Sequence, residues 1–378
     1  YMYKAYEQFE NLIKVGGNKQ TDAHRTIMQF SYDCAPKQLY DKNLLEQAKS
    51  TMSQSQFDRE FGAVFTDDSS GYFKTSKMAA CTLKDGEYPC TEIVGKPGDK
   101  YILAFDPSWA ESEGSDDFAM MIIKLNEERK TGVVVHSYAL AGANLRQHID
   151  YFYFLLNHFN IVSIIGDYNG GVQFINAANE SNLFKTNKLN IQCLNTNFDD
   201  IENYQQKLIE GKREYNLENK TICYLRKPTS QWIRRANELL QANFDHRRIL
   251  FGSRVIDDSY NEQRRKKIPI DKIQFLKTSQ SQEKQSNSAK MIDFVEHQFD
   301  MMNLVKTQCA LVQITTTSAG TQNFDLPSNL KRQTGPEKAR KDSYSALVLG
   351  NWMVKLYYDM MDSKIETVSA TFTPMFIK

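Results

Sequence analysis

The sequence predicts a mixed α/β fold: one β-sheet of mixed strand direction flanked by helices, with a helical segment at the N-terminus. Three observations carry this reading. Apolar runs of strand length recur between residues 101 and 194, stretches with helical spacing lie between them, and the resulting order is β-β-β-α-β-α-β. Three consecutive strands with short links make an antiparallel meander, so a purely parallel doubly wound sheet is not what this order predicts.

Each element has its own signal. Residues 1–60 are polar and read as helical, with Tyr6, Phe9, Leu12 and Ile13 at helical spacing, and likewise Leu44, Leu45 and Ala48. A loop rich in Asp, Ser and Gly follows from Thr66 to Gly71. Turn signals then stand at Asp85-Gly86 and Lys96-Pro97-Gly98-Asp99, where we place the first domain boundary, just before Tyr101. Tyr101 to Phe105 reads as a strand ending in Asp106-Pro107. Phe118 to Leu125 and Val133 to Leu140 are two more, separated by the charged turn Asn126 to Gly132. A helix runs from Asn144, an N-cap by residue type, to Phe159. Ile161 to Gly166 is a buried strand ending at Asp167, Gly170-Gly171 opens another helix, and Ile191 to Leu194 is a fifth strand. Beyond 200 the chain reads as basic and helical, clearest at Trp232 to Phe244, with a short strand at Ile249-Leu250-Phe251. Lys277 to Ser288 is rich in Ser, Gln and Lys and reads as a flexible loop. A helix from Ala289 to Val305, a strand from Cys309 to Thr315 and an apolar helix from Ser343 to Tyr358 complete the chain, which has no internal repeat.

Composition bounds the function classes. With 378 residues, 41% hydrophobic, 18 glycines and 9 prolines, the chain can bury one large or two modest cores, which excludes a fibrous or long disordered protein. No apolar run approaches the roughly 18–20 residues of a membrane span, and the opening at Tyr1 lacks signal-peptide character. Cys34, Cys81, Cys90, Cys193, Cys223 and Cys309 are too scattered for a disulfide scaffold or a CxxC zinc site, so a reduced intracellular compartment is expected. The net charge of +1 conceals an asymmetry: residues 1–200 carry 19 basic against 26 acidic residues, and residues 201–378 carry 28 against 20. An acidic half joined to a basic half is a sign of a polyanion partner, although ordinary solvated surfaces share it.

Two carboxylates are notable by position. Asp106 and Asp167 each follow an apolar run expected to be a central strand, at the sheet edge where α/β proteins bind ligands. A charge there must be solvated, paired or metal-bound. The plainer alternative is that both only start turns. Asp342 follows the basic run Lys338-Ala339-Arg340-Lys341 and opens the last helix, where an N-cap role alone would account for it. Together, two strand-end carboxylates and one helix-borne carboxylate can hold two divalent ions. Hard oxygen ligands suit Mg²⁺ or Mn²⁺, and two ions about 3.5–4 Å apart can activate water against a phosphodiester.

At these residues the chain resembles the large terminase subunit of tailed bacteriophages, the motor that packages viral DNA. Ile102 to Ser108 followed by Gly114-Ser115-Asp116-Asp117-Phe118-Ala119 resembles the first motif of its nuclease domain, which has an RNase H-like fold. Ile164-Ile165-Gly166-Asp167 resembles the second acidic motif, and Arg340 to Leu347 the third. Gln56 to Phe65 is similar to the segment joining the ATPase to the nuclease, so the resemblance runs from about 30 to 358. It implies Asp106, Asp167 and Asp342 as catalytic metal ligands, with Asp116 or Asp117 as an auxiliary carboxylate, and two-metal cleavage of concatemeric double-stranded DNA with little sequence specificity. It also implies the portal protein and the small terminase subunit as partners, no membrane association, and a place in the cytoplasm of the infected host, transiently at the procapsid. No GxxxxGK[ST] occurs in the chain, so the phosphate loop of the family's ATPase is absent from it. The expected organisation is residues 1–75 as a helical remnant and linker from the ATPase end, 76–362 as the nuclease domain with 200–290 an elaboration, and 363–378 as a tail.

Basic residues fit phosphate contact, above all Lys331, Arg332, Lys338, Arg340 and Lys341, set against the single acid Glu337, and also Arg264 and Arg265 within Arg264 to Lys267. Arg234-Arg235 and Arg247-Arg248 are weaker candidates. Any single pair is also consistent with a mixed-charge surface. Other chemistries lack their motifs: the histidines form no HExxH, there is no GxSxG, and His148 and His158 are expected on a helix surface. Two alternatives stay open: another RNase H-like nuclease of the resolvase or transposase kind, and a non-catalytic DNA-binding or docking module whose carboxylates are turn formers.

Overall fold

The computed structural model describes residues 30–34, 36, 42–51, 61–63, 71–108, 116–142, 144–195, 221–254, 287–316, 322–331 and 338–370. The meander forms as the alternation requires. Strand β1 (Tyr101–Asp106) pairs antiparallel with β2 (Phe118–Asn126), which pairs antiparallel with β3 (Thr131–Leu140). Helix α3 (Leu145–His158) then carries the chain over one face to β4 (Ile161–Asp167), which lies parallel to β1. It starts where Asn144 and Gln147 form a capping box, each side chain accepting from the other's backbone N–H. Helices α4 (Tyr168–Glu180) and α5 (Asn182–Thr186) lead to β5 (Gln192–Asn195).

Beyond residue 200 the short strand expected at Ile249-Leu250-Phe251 forms, and a second strand that was not anticipated joins the sheet. Ile222–Arg226 is strand β6, inserted parallel between β4 and β5, and Ile249–Phe251 is β7, parallel to β3. The sheet order is β5-β6-β4-β1-β2-β3-β7. A short strand with buried residues on both faces has no alternation to reveal it, so β6 is hidden in a basic stretch. Helix α6 (Ser230–Asp245) is capped by the Thr229 hydroxyl, which accepts from the Trp232 N–H. Helix α7 covers Asn287–Leu311 and thus includes Cys309, where a strand was expected to begin. Met302, Val305 and Cys309 recur at helical spacing and are all buried, so tertiary burial extends the helix through them. Strand β8 (Gln313–Thr316) forms a separate hairpin sheet with β9 (Gln322–Asp325). After the short α8 (Ser328–Lys331), helix α9 spans Asp342–Ala370 and so continues into the segment read as a tail.

Near the N-terminus, α1 (Lys42–Thr51) buries Leu45 and Ala48 beside Tyr32 and Phe61. Helix α2 (Thr75–Ala80) follows Phe73, whose ring packs on Phe244 and Tyr344, so residues 71–80 belong to the main core. The helical spacing read at Tyr6 to Ile13 and the loop read at 277–286 fall outside the described residues. Alternate strand residues feed two cores. Tyr101, Leu103, Phe105, Met120, Ile122 and Ile164 pack with α3 and α4, while Ile102, Ala104, Met121, Ile123, Ile165 and Tyr224 pack with α6, α7 and α9. Among the described residues no helix is long and apolar enough to cross a membrane, and the six cysteines are free thiols.

Candidate active site

Period-two alternation decides where the strand-end aspartates face. Asp106 follows Ala104 and Asp167 follows Ile165 on the side covered by α9. The parallel register aligns Phe105 with Gly166, which sets Asp106 beside Asp167 on adjacent strands, with Cα atoms about 4.8 Å apart at ordinary strand spacing. The close approach needs Gly166: a Cβ there would lie 2.3 Å from Phe105 Cζ. Helix α9 lies across this edge and brings the third carboxylate, Asp342, in its first turn, where the helix dipole favours an anion. Asp342 thus stands inside the helix. Its Oδ2 accepts from the Asp117 backbone N–H at 2.7 Å and so ties the start of β2 to α9.

Asp106 feels the charges of the other two carboxylates. Burial pushes the Asp106 carboxyl well above the ordinary range, and the charges of Asp342 and Asp167 raise it further, against a hydrogen bond from Ser345 and the charge of Lys341. Burial also raises Asp167, opposed by the Asn169 N–H, which donates to Oδ1 at 2.7 Å and makes Asp167 the cap of α4. Asp342 is pushed up to about 6, first by burial and then by Asp116 and Asp117, against the Asp117 N–H and Lys341. Among the described residues no three His, Cys, Asp or Glu side chains close to coordination distance of one point. Like charges do not close on a point by themselves, and a small divalent cation is the counter-charge that such an all-oxygen set accommodates. The donor chemistry therefore fits a hard cation.

The basic residues beside the site are paired. Lys338 Nζ lies 2.7 Å from Asp116 Oδ1, Arg340 Nε lies 3.4 Å from Asp117 Oδ1, and Lys341 and Lys331 reach Asp325 at 3.1 and 2.5 Å. Burial alone would raise the Asp325 carboxyl, but the hydrogen bond from Lys331 and the charge of Lys341 hold it below its ordinary range. Asp116 and Asp117, read as auxiliary carboxylates, thus turn their carboxylates to Lys338 and Arg340. Arg332, Arg264 and Arg265 lie outside the described residues.

One residue at this edge was missed. Arg226 ends β6 in register with Asp167, faces the α9 side like Tyr224, and is only 4% exposed, with its guanidinium 5.1 Å from the Trp232 ring centre. The available signal was a charge closing an apolar run, Ile222 to Leu225, as Asp106 and Asp167 close theirs. The histidine expectation is corrected too: His148 is buried, with Nδ1 2.9 Å from the Tyr138 hydroxyl and its ring stacked on Phe118. His158 is part-buried and stacks on Phe154. His148 thus lies on the aromatic face by which α3 packs on the sheet.

A three-stranded meander, a parallel crossover beside its first strand, acidic residues at the carboxyl ends of both central strands and a helix bearing a third define an RNase H-like α/β architecture. No protein-family model matches the chain, and no curated protein matches it. Its neighbours among solved structures include large terminases and large terminase nuclease domains. The large terminase nuclease from thermophilic phage G20c with bound magnesium is 9% identical, with a TM-score of 0.37, over 75% of this chain and 98% of that one. The g2p (large terminase) nuclease domain from bacteriophage SPP1 with bound Mn is 10% identical, with a TM-score of 0.34, over 71% and 94%. The large terminase from another thermophilic bacteriophage is 9% identical, with a TM-score of 0.42, over 86% of this chain and 53% of that one.

Proposed function

We propose that this chain is a metal-dependent DNA endonuclease of the large terminase type, with Asp106, Asp167 and Asp342 as the ligands of its divalent ions. The observation that carries the reading is the convergence of two aspartates, Asp106 and Asp167, at matched positions on neighbouring parallel strands with a third, Asp342, at the start of the helix above them, so that Asp342 and Asp167 both raise the Asp106 carboxyl. A maintained cluster of like charges is costly unless a counter-ion or a function offsets it. Mg²⁺ or Mn²⁺, as two ions, would supply Lewis-acid polarisation of the scissile phosphate and an acidified water. The chain's own residues do the rest. Asp106 and Asp167 present oxygens from rigid strand ends, and Ser345 favours the ionised form of Asp106. Lys331, Lys338 and Lys341, with Arg332, Arg264 and Arg265, neutralise backbone phosphates, the described lysines exchanging their carboxylate partners for DNA. Phosphate contacts of this kind carry no base readout, so cleavage of double-stranded DNA is sequence-tolerant. The setting would be concatemer cutting in the host cytoplasm, with the portal and the small terminase subunit as partners.

Asp106→Asn, Asp167→Asn and Asp342→Asn are each expected to abolish plasmid cleavage in Mn²⁺ while circular dichroism shows the fold retained. Full activity in all three would refute the site. One observation favours a second reading, a DNA-docking module without catalysis: Asp167 also has a structural task as the cap of α4. Calorimetry separates the two, since a docking module would bind DNA in a salt-sensitive manner and take up no Mn²⁺.

A further inference from the structure

We propose that Asp117 and Arg340 form a positioning pair that sets the Asp342 carboxylate, so that Arg340 serves the metal site and does not grip DNA. The inference rests on the metal-site reading above. Asp342 opens α9 directly after irregular backbone at 338–341, so helical geometry upstream does not restrain its side chain. What restrains it comes from across the sheet: the Asp117 N–H donates to Oδ2 at 2.7 Å. That N–H sits one residue before β2, whose Ala119 is the register partner of Asp106, so its place is tied to the strand carrying another proposed ligand. The Asp117 carboxylate is held in turn by Arg340 Nε at 3.4 Å, two residues before Asp342. The contacts close a ring from the Asp342 carboxylate through Asp117 and Arg340 back along the backbone to Asp342.

Exposure separates Arg340 from its basic neighbours. Its side chain is 16% exposed, against 47% for Lys331, 36% for Lys341 and 25% for Lys338. A guanidinium enclosed on a carboxylate that is itself 9% exposed is poorly placed to meet a phosphate. The pairing also has an electrostatic use. Asp117 contributes a negative charge near Asp342, and the guanidinium offsets that charge where it would otherwise push against the ligand. The planar fork of Arg holds a carboxylate in a fixed direction, as the ammonium of Lys cannot.

The test measures Mn²⁺ affinity and duplex affinity separately by calorimetry on Arg340→Gln, Arg340→Lys and the exchanged pair Asp117→Arg with Arg340→Asp, with wild type and Asp342→Asn alongside. Loss of a partner that orients a ligand lowers metal affinity by about 10- to 100-fold. Arg340→Gln should show such a loss, Arg340→Lys a smaller one, and the exchanged pair a partial rescue. Duplex affinity and its salt slope should stay as in wild type. Wild-type Mn²⁺ affinity in Arg340→Gln, or a salt slope reduced by about one phosphate contact, would overturn the proposal while an impaired Asp342→Asn leaves the metal site standing. If Asp342→Asn binds Mn²⁺ like wild type, both fall. Should Arg340→Gln fail to fold, Arg340→Lys and the exchanged pair decide the matter.

Discussion

Gly166→Ala puts the smallest possible side chain against the seam between the two central strands. Its Cβ would lie 2.3, 2.6 and 2.7 Å from Cζ, Cε1 and Cε2 of Phe105, far inside contact distance. The ring cannot yield cheaply, because Phe105 is fully buried among Phe118, Phe152 and Phe174, with ring centres 6.4, 6.0 and 5.5 Å away. Overpacking of a tight core costs about 1–3 kcal/mol. For a domain of this size each kcal/mol lowers Tm by about 2–4 °C. The strain falls between Asp106 and Asp167, each the next residue along, so cleavage in Mn²⁺ should weaken with stability. Phe105→Leu removes the clashing ring atoms, and the double variant should be less destabilised than the sum of the singles by about 1 kcal/mol, as residues in contact couple. Thermal and urea denaturation of the four proteins, with plasmid cleavage beside them, makes the measurement. Wild-type stability in Gly166→Ala, or strict additivity in the double variant, would refute the reasoning.

Two further outcomes follow from buried charge. Asp106→Asn should raise the melting temperature of the metal-free protein while eliminating cleavage: burial, Asp342 and Asp167 all oppose the ionised carboxylate in the folded state, and Asn keeps its shape without its charge. A lower metal-free Tm would contradict this. His136 is fully buried between the Glu92 carbonyl and the Tyr151 hydroxyl, and burial, aided by His297, holds its imidazole down at about 4 against an ordinary 6.5. The unfolded chain therefore binds the extra proton between these values, so about 3 kcal/mol of stability is present above pH 6.5 and is lost as pH falls toward 4. The nearby Glu92 carboxyl, raised by burial to about 7 and ion-paired with Lys124, acts in the opposite sense: its protonation favours the fold as pH falls below 7. Subtracting the stability curve of His136→Gln from that of wild type isolates the histidine, and a difference that stays constant from pH 7 to 4.5 would contradict the assignment.

The fold was legible in the sequence where burial and period are local. Strands β1 to β4, the capped helix after Asn144 and the strand-end positions of Asp106 and Asp167 were all legible, because a residue's face in a strand follows from its parity and a turn residue announces itself. Strand β6 was not legible, since a short strand with residues buried on both faces carries no alternation, and Arg226 was lost with it. Nor could chain order say that His148 is enclosed by Tyr138 and Phe118, or that the basic run 338–341 meets Asp116, Asp117 and Asp325 before it meets any phosphate. By itself the sequence determined which residues end the central strands and which carboxylate opens the closing helix. Only the tertiary structure decided that Asp342 takes its hydrogen bond from Asp117, 225 residues away, because a charge pairs with whatever the sheet and α9 bring within a few ångströms, and that distance is independent of separation along the chain.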